Sequence, residues 1–324
     1  MEKNLRIVYM GTPDFAVHTL DRLVQDGYNV VGVVTMPDKA IGRHHDILQS
    51  SPVKQYAMAH DIPVLQPEKL RDETFLQQLR DLNADLQIVV AFRMLPEVVW
   101  AMPRMGTFNL HAALLPQYRG AAPINWSIIH GDTETGITTF YLDHEIDTGR
   151  ILLQKRVPIH ETDCAEDVHD RLMVLGADLV EETVDLIAKG EDKAIPQEQF
   201  MTDEPLRHAP KIFRDTCQIR WTEFGAKQAY DFIRGLSPYP AAWTTLSYGN
   251  GQEQILKIYK TAYTKCAHSE GCGKIKTDGK TYMRAYVTDG YLELLEVQLS
   301  GKKKMQIQDF LRGAHLQGEG LSLK

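Results

Sequence analysis

The 324-residue sequence has little of what several protein classes require. It contains only 4 cysteines, and none of them forms the close pair that zinc ribbons use. We therefore expect free thiols, no disulfide framework and no bound metal. No apolar run approaches the length of a membrane span, and no signal-like segment precedes the first apolar stretch. These absences predict a cytoplasmic protein with no membrane partner.

The first turn of the chain also lacks the glycines of a dinucleotide-binding site. Arg6 to Met10 is a short apolar strand, Phe15 to Gln25 has helical spacing, and Tyr28 to Thr35 is a second apolar strand. This order predicts an α/β domain with a doubly wound, Rossmann-like sheet. Binding of NAD would require a Gly-x-Gly-x-x-Gly motif after the first strand, and only Gly11 is present. A nicotinamide enzyme is therefore not expected.

The α/β pattern continues for more than half of the chain. Leu86 to Phe92 is so continuously apolar that it predicts a central parallel strand covered on both faces. A long amphipathic helix follows later and stops at Gly190, and the pattern then dissolves into charged residues, proline and glutamine. We predict a first domain over residues 1–190 and a linker over residues 191–208.

The last part of the chain changes to short strands separated by Gly, Asn and Asp turns. The predicted strands are Trp243 to Tyr248, Ile255 to Tyr263, Thr281 to Val287 and Leu292 to Gln298. Short strands with such turns predict a small closed all-β domain, and the oligonucleotide-binding type of barrel is the candidate. This smaller second domain is predicted over residues 209–324.

The two parts differ in charge. Residues 1–208 contain 19 Lys and Arg and 32 Asp and Glu, a net charge of −13, whereas residues 209–324 contain 17 and 11, a net charge of +6. The overall charge of −7 therefore hides a basic C-terminal part. Such an asymmetry is typical of a nucleic-acid-binding module beside another function.

The stretch from Gly106 to Gly149 holds the candidate catalytic residues. A short buried strand ends at His111, so Asn109 and His111 should project on the same face. Asp147, in the polar loop after the next strand, is a candidate to orient His111, because a nearby carboxylate favours the charged imidazolium. An imidazolium and an Asn amide can both donate to an oxyanion. No Cys or Ser is placed as a nucleophile, so the attacking group would come from a substrate.

The same stretch resembles the folate-dependent formyltransferases. Their signature is an Asn-x-His, a Leu-Leu-Pro-x-x-Arg-Gly loop and a later Asp-Thr-Gly; here these are Asn109 and His111, Leu114 to Gly120, and Asp147 to Gly149. Further matches, such as Ile219-Arg220-Trp221, resemble the members that act on aminoacylated tRNA. The resemblance implies transfer of the formyl group of 10-formyltetrahydrofolate to the methionine amino group of initiator methionyl-tRNA, for the start of translation.

The resemblance also assigns residues to the folate. Those expected to bind it are Phe92, Arg93, Leu95, Ala113, Leu114, Leu115, Pro116, Gln117, Arg119, Gly120 and Asp143. The Leu and Pro residues of this loop could equally serve in packing. The sequence departs from the family at Arg93 and Glu145, where glycine is common, and at Ala113, where Ser is usual.

The tRNA contacts follow from both charge and resemblance. A polar stretch, Met36 to Ser51, matches a loop of the tRNA enzymes that is expected to reach the acceptor end, and it shows no obvious element of its own. The basic residues expected to bind tRNA are Arg43, Lys274, Lys276, Lys280, Lys302, Lys303 and Lys304. Each lysine could instead only solvate a strand edge.

Other functions use the same kind of site. A formyltransferase acting on a nucleotide-linked amino sugar is the main alternative, and a hydrolase passing the formyl group to water is another. Enzymes of purine synthesis resemble only the first domain, so the basic second domain argues against them. A non-catalytic RNA-binding protein would have no reason to keep Asn109, His111 and Asp147 together. A monomer is expected.

Overall fold

The computed structural model describes residues 4–41, 47–248, 251–314, 316 and 320–324. By its contacts the chain divides into two compact units. The first unit consists of residues 1–120, 135–157 and 169–208, and the second consists of residues 121–134, 158–168 and 209–324. Each is described separately below.

The elements up to residue 189 are a mixture of strands and helices, as predicted for an α/β domain. They are β1 (Ile7–Gly11), α1 (Asp14–Gln25), β2 (Val30–Val34), β3 (Lys39–Ile41), β4 (Ile47–Gln49), α2 (Pro52–Ala59), β5 (Val64–Leu65), α3 (Glu73–Asp81), β6 (Leu86–Val90), α4 (Glu97–Trp100), β7 (Thr107–His111), β8 (Arg119–Gly120), α5 (Pro123–Ile129), β9 (Glu134–Tyr141), β10 (Ile151–Pro158) and α6 (Ala165–Lys189).

The main sheet of the first unit has the strand order β10, β9, β7, β6, β1, β2, β5. Strands β5, β2, β1, β6 and β7 run parallel, and β9 pairs antiparallel with β7. The chain therefore winds outward in both directions from β1 and β6, which confirms the doubly wound, Rossmann-like prediction. Ligands of such sheets bind at the carboxyl ends of the strands where the winding direction changes. Here those ends are Gly11 and Val90, which pair with each other.

Strands β1 and β6 lie at the centre of this unit because their residues form its core. All residues of β1 and β6 are buried, as expected for parallel strands covered on both faces. One face packs against α3 through a cluster that includes Val8, Met10, Phe75 and Leu79. The prediction of a strand to Phe92 is too long, because β6 ends at Val90 and Ala91 takes a positive φ of 48°.

The stretch from Met36 to Ser51 differs from the prediction. We expected no regular element there, but β3 and β4 form an antiparallel pair in which Lys39 faces Gln49 and Ile41 faces Ile47. The apolar and polar residues of these three-residue strands are too few to show a period, so the sequence pattern could not reveal them.

The remaining elements are two short 3₁₀ turns, Gln197–Phe200 and Asp215–Cys217, and the strands and helices after residue 207. They are β11 (His208–Ala209), α7 (Ala226–Gly235), β12 (Ala242–Ser247), β13 (Glu253–Lys265), β14 (Ile275–Thr277), β15 (Met283–Val287), β16 (Gly290–Leu299), β17 (Met305–Gln306), α8 (Ile307–Ala314) and β18 (Ser322–Leu323).

The sheet of the second unit is antiparallel and closes on itself. Its strand order is β14, β15, β16, β13, β12, β18, with β17 beside β16. The two end strands meet where Lys274 bridges Ser322 and where the Leu323 amide donates to the Gly273 carbonyl at 2.7 Å. The predicted small β-barrel is thus confirmed. Strands β14, β17 and β18 and helix α8 were not predicted, because each is short or begins inside a turn-rich segment.

No helix in the described ranges is long and apolar enough to cross a membrane.

Candidate active site

Asn109 and His111 lie where the sequence predicts, in the last three residues of β7. Leu110, between them, points toward Gly176 of α6, so Asn109 and His111 project from the opposite face of the sheet. His111 is only 6% exposed, whereas Asn109 is half-buried. Within the described chain the side-chain amide of Asn109 makes no hydrogen bond. An amide in this state can donate to a ligand without first breaking a protein contact.

The imidazole of His111 is held from two sides. Its Nε2 lies 2.9 Å from the Tyr118 carbonyl oxygen, and because a carbonyl can only accept, Nε2 carries a hydrogen and donates it. The other ring nitrogen, Nδ1, lies 3.8 Å from Oδ2 of Asp147. Nδ1 therefore carries no hydrogen in this tautomer and faces the carboxylate.

Asp147 is fixed by the loop that precedes α5. The same Oδ2 atom accepts a hydrogen bond from the Gly120 amide at 2.8 Å. Its backbone has a φ of 56°, a left-handed conformation that Asp tolerates better than most residues. The polar loop after β9 and the Leu-Leu-Pro-x-x-Arg-Gly loop are thus joined at this carboxylate, which brings His111 and Asp147 together as predicted from the sequence.

Gln197 is a site-supporting residue that the sequence analysis missed. It is 1% exposed, and its Nε2 donates to the carbonyl oxygens of Asp147 and Gly149, each at 2.8 Å. Its Oε1 accepts from Nε and Nη2 of Arg119 at 3.1 and 2.7 Å. One glutamine thereby joins both site loops. It lies in a polar stretch predicted to be a linker, and nothing in that stretch distinguishes it from its neighbours.

Changing Gln197 to Ala should lower the free energy of unfolding by about 2–4 kcal/mol, because buried carbonyl oxygens and a guanidinium lose their partner. Denaturation in urea measures this change. Gln199→Ala is the matched control, since Gln199 is exposed on the same 3₁₀ turn. Equal losses in the two variants would show that Gln197 does not hold the loops.

The loop after β6 is open for hydrogen bonding. In the described part of the chain, the backbone amides and carbonyls of Phe92 to Leu95 form no hydrogen bond. This segment follows the carboxyl end of β6, next to the end of β7 in the sheet. Free backbone donors and acceptors at such an edge can recognise the polar rim of a planar ring.

Three residues assigned to the folate are buried in the protein. Leu95 belongs to the cluster around Val8 and Phe75, and Leu115 is 1% exposed in a small cluster with Phe140. The carbonyl of Ala113 accepts from Thr138 at 2.6 Å. Leu115 thus serves in packing, as the alternative for the Leu and Pro residues of this loop allows, and contact of these three residues with a folate stays a prediction.

The other assigned residues lie on the two loops in different surroundings. The guanidinium of Arg119 contacts Gln197, and the Gln117 side chain accepts from the Arg207 amide at 2.8 Å. Asp143 is exposed and accepts from the amide of His144. Leu114 is half-buried, Pro116 is buried, and the Gly120 amide binds Asp147. Whether these residues contact a folate stays a prediction.

The lysines assigned to tRNA are exposed on the barrel but are not equivalent. Lys274 pairs with Glu270 at 3.0 Å, and Lys304 pairs with Glu296 at 3.1 Å and lies over the Tyr259 ring. The other four are exposed without an ion pair in the described ranges: Lys276, Lys280, Lys302 and Lys303. Arg43 lies outside the described residues. Among the described residues, no group of three or more His, Cys, Asp or Glu side chains could hold a metal ion.

Comparison with known families identifies both parts of the chain. The formyl transferase family model matches residues 4–184, and the model of the formyl transferase C-terminal domain matches residues 211–315. The first match contains Asn109, His111 and Asp147, and the second contains the barrel strands from β12 to β17.

Curated relatives match the chain almost from end to end. A methionyl-tRNA formyltransferase from Parabacteroides distasonis is 63% identical, and the match covers 96% of both chains. Proteins of the same name from Phocaeicola vulgatus and Porphyromonas gingivalis are 64% and 48% identical, with coverage of 96% and 98% of both chains.

Solved structures share the fold at low sequence identity. HypX from Aquifex aeolicus, in complex with tetrahydrofolic acid, has a TM-score of 0.63 at 16% identity over 97% of this chain. This chain spans about half the length of HypX, 48%. An N-formyltransferase from Helicobacter canadensis, in complex with folinic acid and dTDP-3-aminofucose, has a TM-score of 0.62 at 18% identity and covers 93% of this chain and 100% of its own.

A doubly wound sheet with Asn109, His111 and Asp147 at its edge, a closed barrel after it, and family matches over both parts lead to one assignment: the chain belongs to the formyl transferase family.

Proposed function

We propose that this protein transfers the formyl group of 10-formyltetrahydrofolate to the methionine amino group of initiator methionyl-tRNA. The observation that carries the proposal is the similarity to methionyl-tRNA formyltransferases at 60–64% identity over nearly the whole of both chains, the barrel included. Two structures of sugar formyltransferases resemble the chain at 17% and 18% identity. That similarity supports a common fold but gives no support for a common substrate.

The residues at the end of β7 fit the chemistry of formyl transfer. When an amine attacks a formyl carbon, a new C–N bond forms, the carbonyl oxygen becomes negatively charged and the nitrogen must lose a proton. The unpaired amide of Asn109 can donate to that oxygen, which is the largest single contribution in many acyl transfers. The sequence predicts His111 as a second donor to that oxygen, but its Nε2 hydrogen is held by the Tyr118 carbonyl. We therefore assign Nδ1 of His111, beside Asp147, to take the proton from the amine.

The loop after β6 fits the donor. Phe92 to Leu95 has free backbone donors and acceptors, and a pterin ring presents both along its rim. The donor supplies a formyl group on a nitrogen that leaves with a proton once the bond to the formyl carbon breaks. Burial of His111, at 6% exposure, limits the access of water that could otherwise intercept the formyl group.

The C-terminal part of the chain, residues 209–324, fits the tRNA. Residues 209–324 carry the net charge of +6, and four barrel lysines are exposed without a carboxylate partner in the described chain. A polyanionic substrate needs such cations, because neutralised phosphates release counterions and drive binding. The acidic residues of 1–208, with a net charge of −13, would repel it over most of that part.

An assay with competing acceptors tests the proposal. The protein is incubated with 10-formyltetrahydrofolate and, in separate reactions, with initiator methionyl-tRNA or a dTDP-linked amino sugar. We expect the formyl group on methionine alone. Formylation of the sugar and not of the tRNA would support the alternative acceptor class, and release of formate without an acceptor would indicate a hydrolase.

A further inference from the structure

The guanidinium of Arg93 clamps the loop after β6 to the segment after β5. Its Nη1 donates to the Glu68 carbonyl at 2.9 Å, and its Nη2 donates to the Pro67 carbonyl. The carbon at the centre of the guanidinium lies 5.7 Å from the centre of the Phe92 ring. A planar guanidinium can make two such bonds at once in a fixed geometry, which an ammonium group cannot.

The segment that Arg93 grips is itself fixed. Nε2 of Gln66 donates to the Met36 carbonyl at 2.9 Å and to Oδ1 of Asp38 at 2.8 Å. The other carboxylate oxygen of Asp38 accepts from Lys54 at 2.7 Å. These hydrogen bonds from Lys54 and Gln66 lower the pKa of Asp38. Arg93 is therefore attached to a rigid part of the first unit and not to a mobile loop.

The loop between Val90 and Pro96 has few other restraints. Ala91 has a φ of 48°, and in the described chain the backbone of Phe92 to Leu95 makes no hydrogen bond that could fix its course. The side chain of Leu95 anchors the far end by packing in the core. Between these two points, the fork of Arg93 is the polar restraint on the loop.

Holding the Arg93 guanidinium in this position disfavours the folded state. A side chain without a specific role is therefore a poor explanation for Arg93. Burial lowers the pKa of the Arg93 guanidinium, and its Nε–H is buried without a partner in the described chain. A buried donor without a partner disfavours the folded state. A side chain that only filled space here would need neither the charge nor the fork.

We propose that Arg93 is a positioning residue for the formyl donor: its fork to Pro67 and Glu68 holds Phe92 to Leu95 in the conformation that binds the folate ring. The inference rests on the proposed function, since it requires that this loop contacts the donor. Arg93 acts through the backbone of the loop and does not itself need to touch the reacting atoms.

Direct binding of tetrahydrofolate tests this role without any dependence on turnover. Isothermal titration calorimetry on the full chain compares the parent protein with Arg93→Met and Arg93→Lys. We expect the Kd for tetrahydrofolate to rise about tenfold or more in Arg93→Met, because binding must then order the loop. Arg93→Lys should lie between the two, since an ammonium keeps the charge but loses the fork.

Kinetic measurements distinguish a role of Arg93 in positioning the donor loop from a general loss of structure. In Arg93→Met the KM for the formyl donor should rise about as much as the Kd for tetrahydrofolate, while the KM for methionyl-tRNA stays within about twofold. Arg104→Met is the control, because Arg104 is exposed and its pair with Asp85 lies at the amino end of the sheet. Its donor KM should not change.

Two results would overturn the inference. One is a tetrahydrofolate Kd in Arg93→Met and Arg93→Lys that matches the parent value. The other is a parallel rise of the two KM values together with a lower unfolding temperature, which would indicate a structural role alone. Failure of the proposed function would look different: the parent protein would bind tetrahydrofolate in the calorimeter but would not formylate methionyl-tRNA.

Discussion

Formyl transfer should slow by about a hundredfold or more when Asn109 is changed to Ala, because an oxyanion then loses a donor in a water-poor site. The side chain of Asn109 is half-buried and makes no hydrogen bond in the described chain, so the change leaves no protein group without a partner. The unfolding temperature should therefore stay close to that of the parent protein. Single-turnover rates at saturating donor and tRNA measure the effect on the chemical step.

The carboxylate is tested best by Asp147→Asn. Alanine would combine two effects, since Asp147 has a φ of 56° and accepts the Gly120 amide. Asparagine tolerates the same backbone and keeps an acceptor for Gly120. It removes only the negative charge beside Nδ1 of His111. We expect a loss of about a hundredfold in turnover, because a charged imidazole is no longer stabilised.

Glu145→Gln provides the control for the loss of a loop carboxylate. Glu145 is exposed on the same loop, and the contact it makes there is through its backbone, whose carbonyl accepts a hydrogen bond from the Thr148 hydroxyl. Its turnover should equal that of the parent protein. If Asn109→Ala or Asp147→Asn had the same single-turnover rate as the parent protein and Glu145→Gln, the role assigned to that residue would be wrong.

The sequence predicts those parts of the fold that depend on local periodicity. The buried strand from Leu86 and the helix from Phe15 to Gln25 have patterns long enough to indicate both type and position. The meeting of His111 with Asp147 also follows from sequence, because His111 ends β7, Asp147 lies in the polar loop after β9, and a known family uses this spacing. For the strand and the helix the information is contained within neighbouring residues, whereas the pairing of His111 with Asp147, 36 residues apart, follows from the family resemblance.

Residues whose role depends on distant partners could not be predicted. Gln197 and Gln199 stand in the same polar stretch, yet only Gln197 turns inward to bind two carbonyl oxygens of another loop. Arg93 could be noted as a departure from the family, but its fork to Pro67 and Glu68 joins segments about 25 residues apart. No periodicity records such contacts, since they depend on how loops pack after the sheet has formed.

The difference in net charge between residues 1–208 and 209–324 also does not identify individual contacts. It bears on the binding of tRNA. Composition identifies the barrel as basic but cannot tell which lysines are already paired. In the structure Lys274 and Lys304 have carboxylate partners, so part of their charge is neutralised before any tRNA binds. The four exposed lysines without such partners in the described ranges are the better candidates: Lys276, Lys280, Lys302 and Lys303.

Changing these four lysines to Gln should weaken tRNA binding on the order of a hundredfold at 0.1 M salt, because up to four phosphate contacts are lost. The plot of log K against log salt should flatten by about 3, at roughly 0.7–0.9 per contact. Filter binding of methionyl-tRNA over a range of salt concentrations measures both quantities. Binding of tetrahydrofolate should not change, since the substitutions lie in the barrel.

Two further variants separate charge from position. Changing the same four residues to Arg keeps the charge and should restore the salt dependence. Changing Lys274 and Lys304 to Gln removes two cations whose partners are Glu270 and Glu296, and each leaves a carboxylate without its pair. If the lysines only solvate strand edges, the fourfold Gln variant will bind tRNA with the parent affinity and the parent salt slope. The barrel would then hold tRNA through other residues or serve a structural role.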